Sequence, residues 1–129
     1  MHQLIVVDAA NVVGSVPDGW WRDRAGAASR LRDDLAAMRS TTFAGELVLV
    51  VEGRAKDIPG VPGVRVVSAP HSGDDAIVGL VRAEGHGRDC LVVTADRGLR
   101  DRVTALGARV TGPATLRREL RQPNGDQDQ

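Results

Sequence analysis

The 129-residue chain is poor in aromatic residues, with Trp20, Trp21 and Phe43 its only three, and it carries one cysteine, one lysine and no net charge. Cys90 stands alone in an apolar context, which excludes a disulfide framework and a cysteine metal site and fits a reducing compartment. Seventeen basic residues balance seventeen acidic ones, so no overall field marks a nucleic-acid binder and any basic surface must be local. Apart from Lys56 the basic residues are all arginine. Arginine suits bidentate contacts with phosphate, but arginine bias also follows from a GC-rich genome. No apolar run approaches the roughly 20 residues of a membrane span, and the start lacks the charged-then-apolar layout of a signal peptide. A soluble, cytoplasmic protein with no membrane partner is the expectation.

The length suits one domain with a single core. Leu4 to Val7 is continuously apolar and mostly β-branched, as a strand covered on both faces is. From about Arg22 to Met38, apolar positions Ala28, Leu31, Leu35 and Met38 recur at helical intervals. Glu46 to Val51 reads as a second strand, Val64 to Val67 as a short third, and Cys90 to Val93 as a fourth. Between them, Ser72-Gly73-Asp74-Asp75 opens a helix that Gly85 and Gly87 end. A helix over Arg97 to Leu106 capped by Gly107, a strand at Arg109 to Thr111 and a helix from Pro113 to about Arg121 complete residues 1–121. The polar tail, residues 122–129, is expected to be disordered. Strands mostly alternating with helices imply an α/β fold with a parallel sheet. The connection from the second strand to the third is too short for a long helix.

Three of these runs end on an acid: Val7 leads into Asp8, Val51 into Glu52, and Val93, through Thr94 and Ala95, into Asp96. Parallel strands open their carboxyl ends on one edge, where α/β proteins keep their ligands. Carboxylates crowded at one edge repel each other, an arrangement that makes sense around a divalent cation. Each residue has a plainer reading as well. Asp8 and Asn11 favour turns, Asp96 is a good helix cap, and Ser72 with Asp75 satisfies a capping box that leaves Asp74 over. Glu52 has Arg54 and Lys56 close by to pair with. Arg97, Arg22 and Arg24 suit phosphate but are also ordinary surface residues. Trp20 and Trp21 suit stacking on bases or serving as a lid over a helix. His2, His71 and His86 form no ligand pattern, and no Ser-His-Asp set or phosphate-cradling glycine loop is present.

Asp8-x-x-Asn11, Ser72-x-Asp74-Asp75 and Thr94-x-Asp96-Arg97, in that order, resemble the NYN domain, a branch of the PIN-like ribonucleases that includes the YacP-like proteins. The resemblance runs from Leu4 to about Leu120 and takes in Leu106-Gly107-Ala108. It implies a Rossmann-like, three-layer PIN fold with strand order 3-2-1-4-5, Mg²⁺ or Mn²⁺ held by acidic residues, and endonucleolytic cleavage of RNA. By position, Asp8 and Asp96 match the strand-end acids, Asn11 the motif amide, and Asp74 and Asp75 the helix-start acids, with Asp75 favoured as the ligand. Many members carry glycine where this chain has Ala9.

The mechanism implied is metal-assisted phosphodiester hydrolysis with Asp8, Asp75 and Asp96 as ligands and Arg97 neutralising charge on the phosphoryl oxygens. Ser72, Thr94, Arg22 and Arg24 join Arg97 as candidates for holding substrate. The chief rival is an RNA-binding module with little or no cleavage, working with the ribosome or a protein partner. A receiver-like phosphotransfer module lacks a lysine after the last strands, a toxin-like nuclease would betray itself by toxicity, and cleavage of structured DNA by the same site is a further reading.

Overall fold

The computed structural model describes residues 3–16, 19–39, 45–55 and 57–121, without the side chains of Arg39, Arg54 and Arg121. His2, Lys56 and the tail therefore lie outside the described residues. Five strands form one sheet: β1 (Leu4–Asp8), β2 (Glu46–Val51), β3 (Val64–Ser68), β4 (Cys90–Val93) and β5 (Arg109–Thr111). Their order is β3-β2-β1-β4-β5 and every ladder is parallel. The order expected from the resemblance is the order found. A lone antiparallel bridge joins Val61 to Val64, the first residue of β3.

β1 and β2 are buried almost throughout because helices cover both faces of the sheet. Ile5, Val7, Leu47 and Leu49 pack on one side with α1 (Ala9–Val13), α2 (Arg24–Arg39) and Leu116 of α5 (Pro113–Arg121). Leu4, Val6, Val48 and Val50 pack on the other with α3 (Gly73–Glu84) and α4 (Arg97–Thr104). Each fully buried aliphatic side chain contributes about 1.5–3 kcal/mol, so two such layers hold the sheet without a staple.

The caps are local. Asp23 accepts from Gly26 N at 2.9 Å to start α2, Ser72 from Asp75 N at 3.2 Å to start α3, and Asp96 from Leu99 N at 3.0 Å to start α4. α4 ends at Thr104, two residues before the expected end, and Gly107 turns the chain with φ 93°. Arg22 falls in a 3₁₀ turn, Trp20–Arg22, rather than in α2. α1 was not expected, being too short to show a period. The short β2 to β3 connection holds a 3₁₀ turn, Gly53–Ala55, against α2.

Candidate active site

Alternation along the strands decides which side chains meet. On β1, Leu4 and Val6 face α3 and α4, so Asp8, two further on, faces them too. The same count carries Val48 and Val50 to Glu52, and Val92 to Thr94. Asp74 and Asp96 stand at the starts of α3 and α4, and the carboxyl edge of the sheet thus gathers four carboxylates.

Asp8 is only 7 % exposed. Its Oδ2 accepts from Thr94 Oγ1 at 2.9 Å, and its Oδ1 from Asn11 N at 3.4 Å. Thr94 Oγ1 accepts in turn from Asp96 N at 3.1 Å, and Asn11 Oδ1 from Ala95 N at 2.8 Å. Asp8 is thereby clamped between α1 and the loop leading into α4. Burial pushes its carboxyl up to about 6, the bonds from Thr94 and Asn11 N pull it down, and the charges of Asp74 and Glu52 add smaller upward pushes. Asp74 is also raised, by burial first and then by Asp96 and Glu52. Glu52 accepts a hydrogen bond from Gly73 N, and a Cβ on Gly73 would stand 2.9 Å from Glu52 Oε2. Asp8 thus feels the charges of Asp74 and Glu52, and Asp74 those of Asp96 and Glu52 and, more weakly, Asp75, which links Asp8, Glu52, Asp74 and Asp96 as one acidic group.

Beside this group, on the α1 and α2 side of the sheet, lies a cavity of about 270 Å³ whose lining includes Ala9, Val13, Trp20, Arg24, Glu52 and His71. The Arg24 guanidinium sits 5.3 Å from the centre of the Trp20 ring, within cation–π range. Glu52 belongs to both features.

No protein-family profile matches the chain, and no curated protein matches it. Solved structures do. Rae1 (YacP) from Bacillus subtilis superposes with a TM-score of 0.74 at 22 % identity, over 91 % of this chain and 72 % of that one. A point mutant of the same protein gives 0.78 at 21 % identity, over 92 % and 74 %. This chain has a YacP-like NYN fold.

Within the NYN fold the expected site residues differ in burial and in partners. Thr94 is fully buried, so it cannot touch a substrate and instead positions Asp8 and the Asp96 backbone. Asn11 spends its amide oxygen on Ala95 N, which makes it a clamp on the loop. Asp75, the favoured ligand, has a side chain 72 % exposed and paired with Arg102 at 3.1 Å. Asp74 is the member of the pair coupled to the other acids, and it shares the face of Ile77, Val78 and Val81, which pack on the sheet. That spacing of three, four and seven was readable in the sequence. Glu52 joins the group through Gly73 of α3 rather than standing apart. Ser72 caps α3 and is exposed, and Arg97 is exposed on the first turn of α4. Arg22 lies 5.9 Å from the Trp21 ring. Trp20 packs on the α2 side of the core while lining the cavity, whereas Trp21 is 51 % exposed.

Proposed function

We propose that the protein is a metal-dependent endoribonuclease that hydrolyses RNA phosphodiester bonds at the carboxyl edge of the sheet, in the cytoplasm. The observation carrying this reading is the coupled group Asp8, Glu52, Asp74 and Asp96 at the ligand edge of an NYN fold. PIN-like nucleases generally use divalent metals, and an all-carboxylate donor set has the chemistry that Mg²⁺ or Mn²⁺ takes. Among the described residues no three His, Cys, Asp or Glu side chains form a ready cage for an ion. Such a cage is not required, because Mg²⁺ keeps several waters and needs one or two carboxylates. Asp8 and Asp74, with Asp96 and Glu52 beside them, are the residues to hold it.

When bound, the ion supplies polarisation of a phosphoryl oxygen and lowers the pKa of a water. The protein's own part is to position and to neutralise. Thr94 and Asn11 hold Asp8 and the α4 loop in one arrangement, and Arg97 offers positive charge to the phosphoryl oxygens next to Asp96. In-line attack by water on the phosphorus would break the P–O3′ bond, leaving a 5′-phosphate on one fragment and a 3′-hydroxyl on the other.

The second reading, an RNA-binding module delivered by the ribosome or another partner, draws support from the neutral charge and from the absence of a preformed cage among the described residues. An end-labelled single-stranded RNA separates the two. The nuclease reading expects cleavage with Mn²⁺ or Mg²⁺, 5′-phosphate products, and loss of cleavage with chelator or in Asp8→Asn. RNA binding without metal-dependent cleavage would leave the binding module.

A further inference from the structure

We propose that the cavity beneath Trp20 receives one unpaired nucleobase of an RNA strand whose neighbouring phosphate lies at the acidic edge. The inference rests on the ribonuclease reading for the identity of the strand, and on the cavity for its state.

Four features of the cavity select a base. Its volume, about 270 Å³, lies just below the range for drug-sized ligand sites, about 300–1,000 Å³, and suits one flat ring system rather than a longer ligand. Its walls are the methyl groups of Ala9 and Ala10 and the side chain of Val13 beside the Trp20 indole, a surface that accepts any base by its apolar face. Glu52 and His71 supply polar groups at the lining, where the edge of a base has donors and acceptors to satisfy. Arg24, held over the Trp20 ring at 5.3 Å, places positive charge at the same cavity for the backbone attached to that base.

Position decides the register. Glu52 lines the cavity and also accepts a hydrogen bond from Gly73 N at the start of α3, next to Asp74, so a base seated there has its sugar and phosphate beside the acidic edge. A base inside a duplex is stacked and paired and cannot enter without being extruded, at a cost of a few kcal/mol.

The test uses intrinsic fluorescence. The chain has two tryptophans and no tyrosine, so Trp21→Phe leaves Trp20 as the sole tryptophan at the cavity. That protein is titrated in chelator, where no cleavage occurs, with a short single-stranded oligoribonucleotide and with the same strand annealed to its complement. Saturable quenching by the single strand is expected, with at least about tenfold weaker binding of the duplex. Ala10→Leu, which fills the cavity from an exposed position on α1, should weaken the single strand about tenfold or more, the range of one lost base stack. Arg24→Gln, on the exposed first turn of α2, serves as a second variant should Ala10→Leu fold poorly, with the same direction expected.

Equal quenching by duplex and single strand, or unchanged affinity in a folded Ala10→Leu, overturns the proposal. So does saturable quenching by an unstructured peptide with none by RNA, which would assign the cavity to a protein partner. The outcome is separable from the nuclease reading: cleavage without Trp20 quenching rejects the base cavity alone, and quenching without cleavage rejects the nuclease and keeps the cavity.

Discussion

Removing the charge of Asp8 should stabilise the metal-free protein at neutral pH. The fold raises the Asp8 carboxyl from 3.8 to about 6, so between those values the folded chain binds the proton more tightly than the unfolded chain does. Stability contributed by this group is therefore complete below about pH 4, falls as pH rises through the window, and stays reduced above it. A difference of roughly two units corresponds to about 3 kcal/mol at 1.36 kcal/mol per unit. Asp8→Asn abolishes that cost but keeps only one acceptor oxygen where the carboxylate has two, meeting Thr94 Oγ1 and Asn11 N. One lost hydrogen bond costs about 1 kcal/mol, which leaves a net gain of about 2 kcal/mol. For a domain of this size that is a rise of about 8 °C in Tm. The assay is thermal unfolding followed by circular dichroism in chelator, at about pH 7.5 and about pH 4. The variant should melt well above wild type at the higher pH and level with it or slightly below at the lower. A variant that melts lower at neutral pH, or that shows the same advantage at both, would refute the electrostatic description of the acidic edge.

Thr94→Val keeps the shape of a fully buried side chain but removes the donor to Asp8 and the acceptor of Asp96 N. It should cost about 1–3 kcal/mol and push the Asp8 carboxyl higher still, moving the acid limb of a pH–rate profile upward, while Thr94→Ser restores both readouts. Gly73→Ala places a Cβ 2.9 Å from Glu52 Oε2, the far end of a flexible side chain. Thermal melting should change by less than about 1 kcal/mol, yet turnover should fall because Glu52 is displaced from α3; an unchanged rate would remove Glu52 from the site.

The strands were legible because a sheet covered on both faces writes continuous apolar runs, as at Leu4 to Val7 and Leu47 to Val51. The acids at their ends were legible for the same reason. α1 was not, since the five residues Ala9 to Val13 carry no distinguishing period and their helix is set by Asp8 and by burial against α2. Asp74 and Asp75 are hard to separate in the sequence because the capping pattern draws attention to the third helical position, whereas spacing from Ile77, Val78 and Val81 decides which one faces the sheet. The burial of Thr94 follows from strand alternation continued past β4 and from its backbone bond to Thr111. The bond from Gly73 N to Glu52 and the cavity under Trp20 join segments distant in the chain, and no local pattern announces such contacts.

The central claim is that a divalent cation works among Asp8, Glu52, Asp74 and Asp96, and the rate of Mn²⁺-dependent cleavage of one single-stranded RNA by wild type, Asp74→Asn and Asp75→Asn tests it most directly. Wild type should cleave, Asp74→Asn should lose about 100-fold or more, the upper end of what partners around a metal contribute, and Asp75→Asn, whose exposed carboxylate pairs with Arg102, should stay within a few-fold of wild type. No metal-dependent cleavage by wild type, or a loss in Asp75→Asn with Asp74→Asn unaffected, would contradict it.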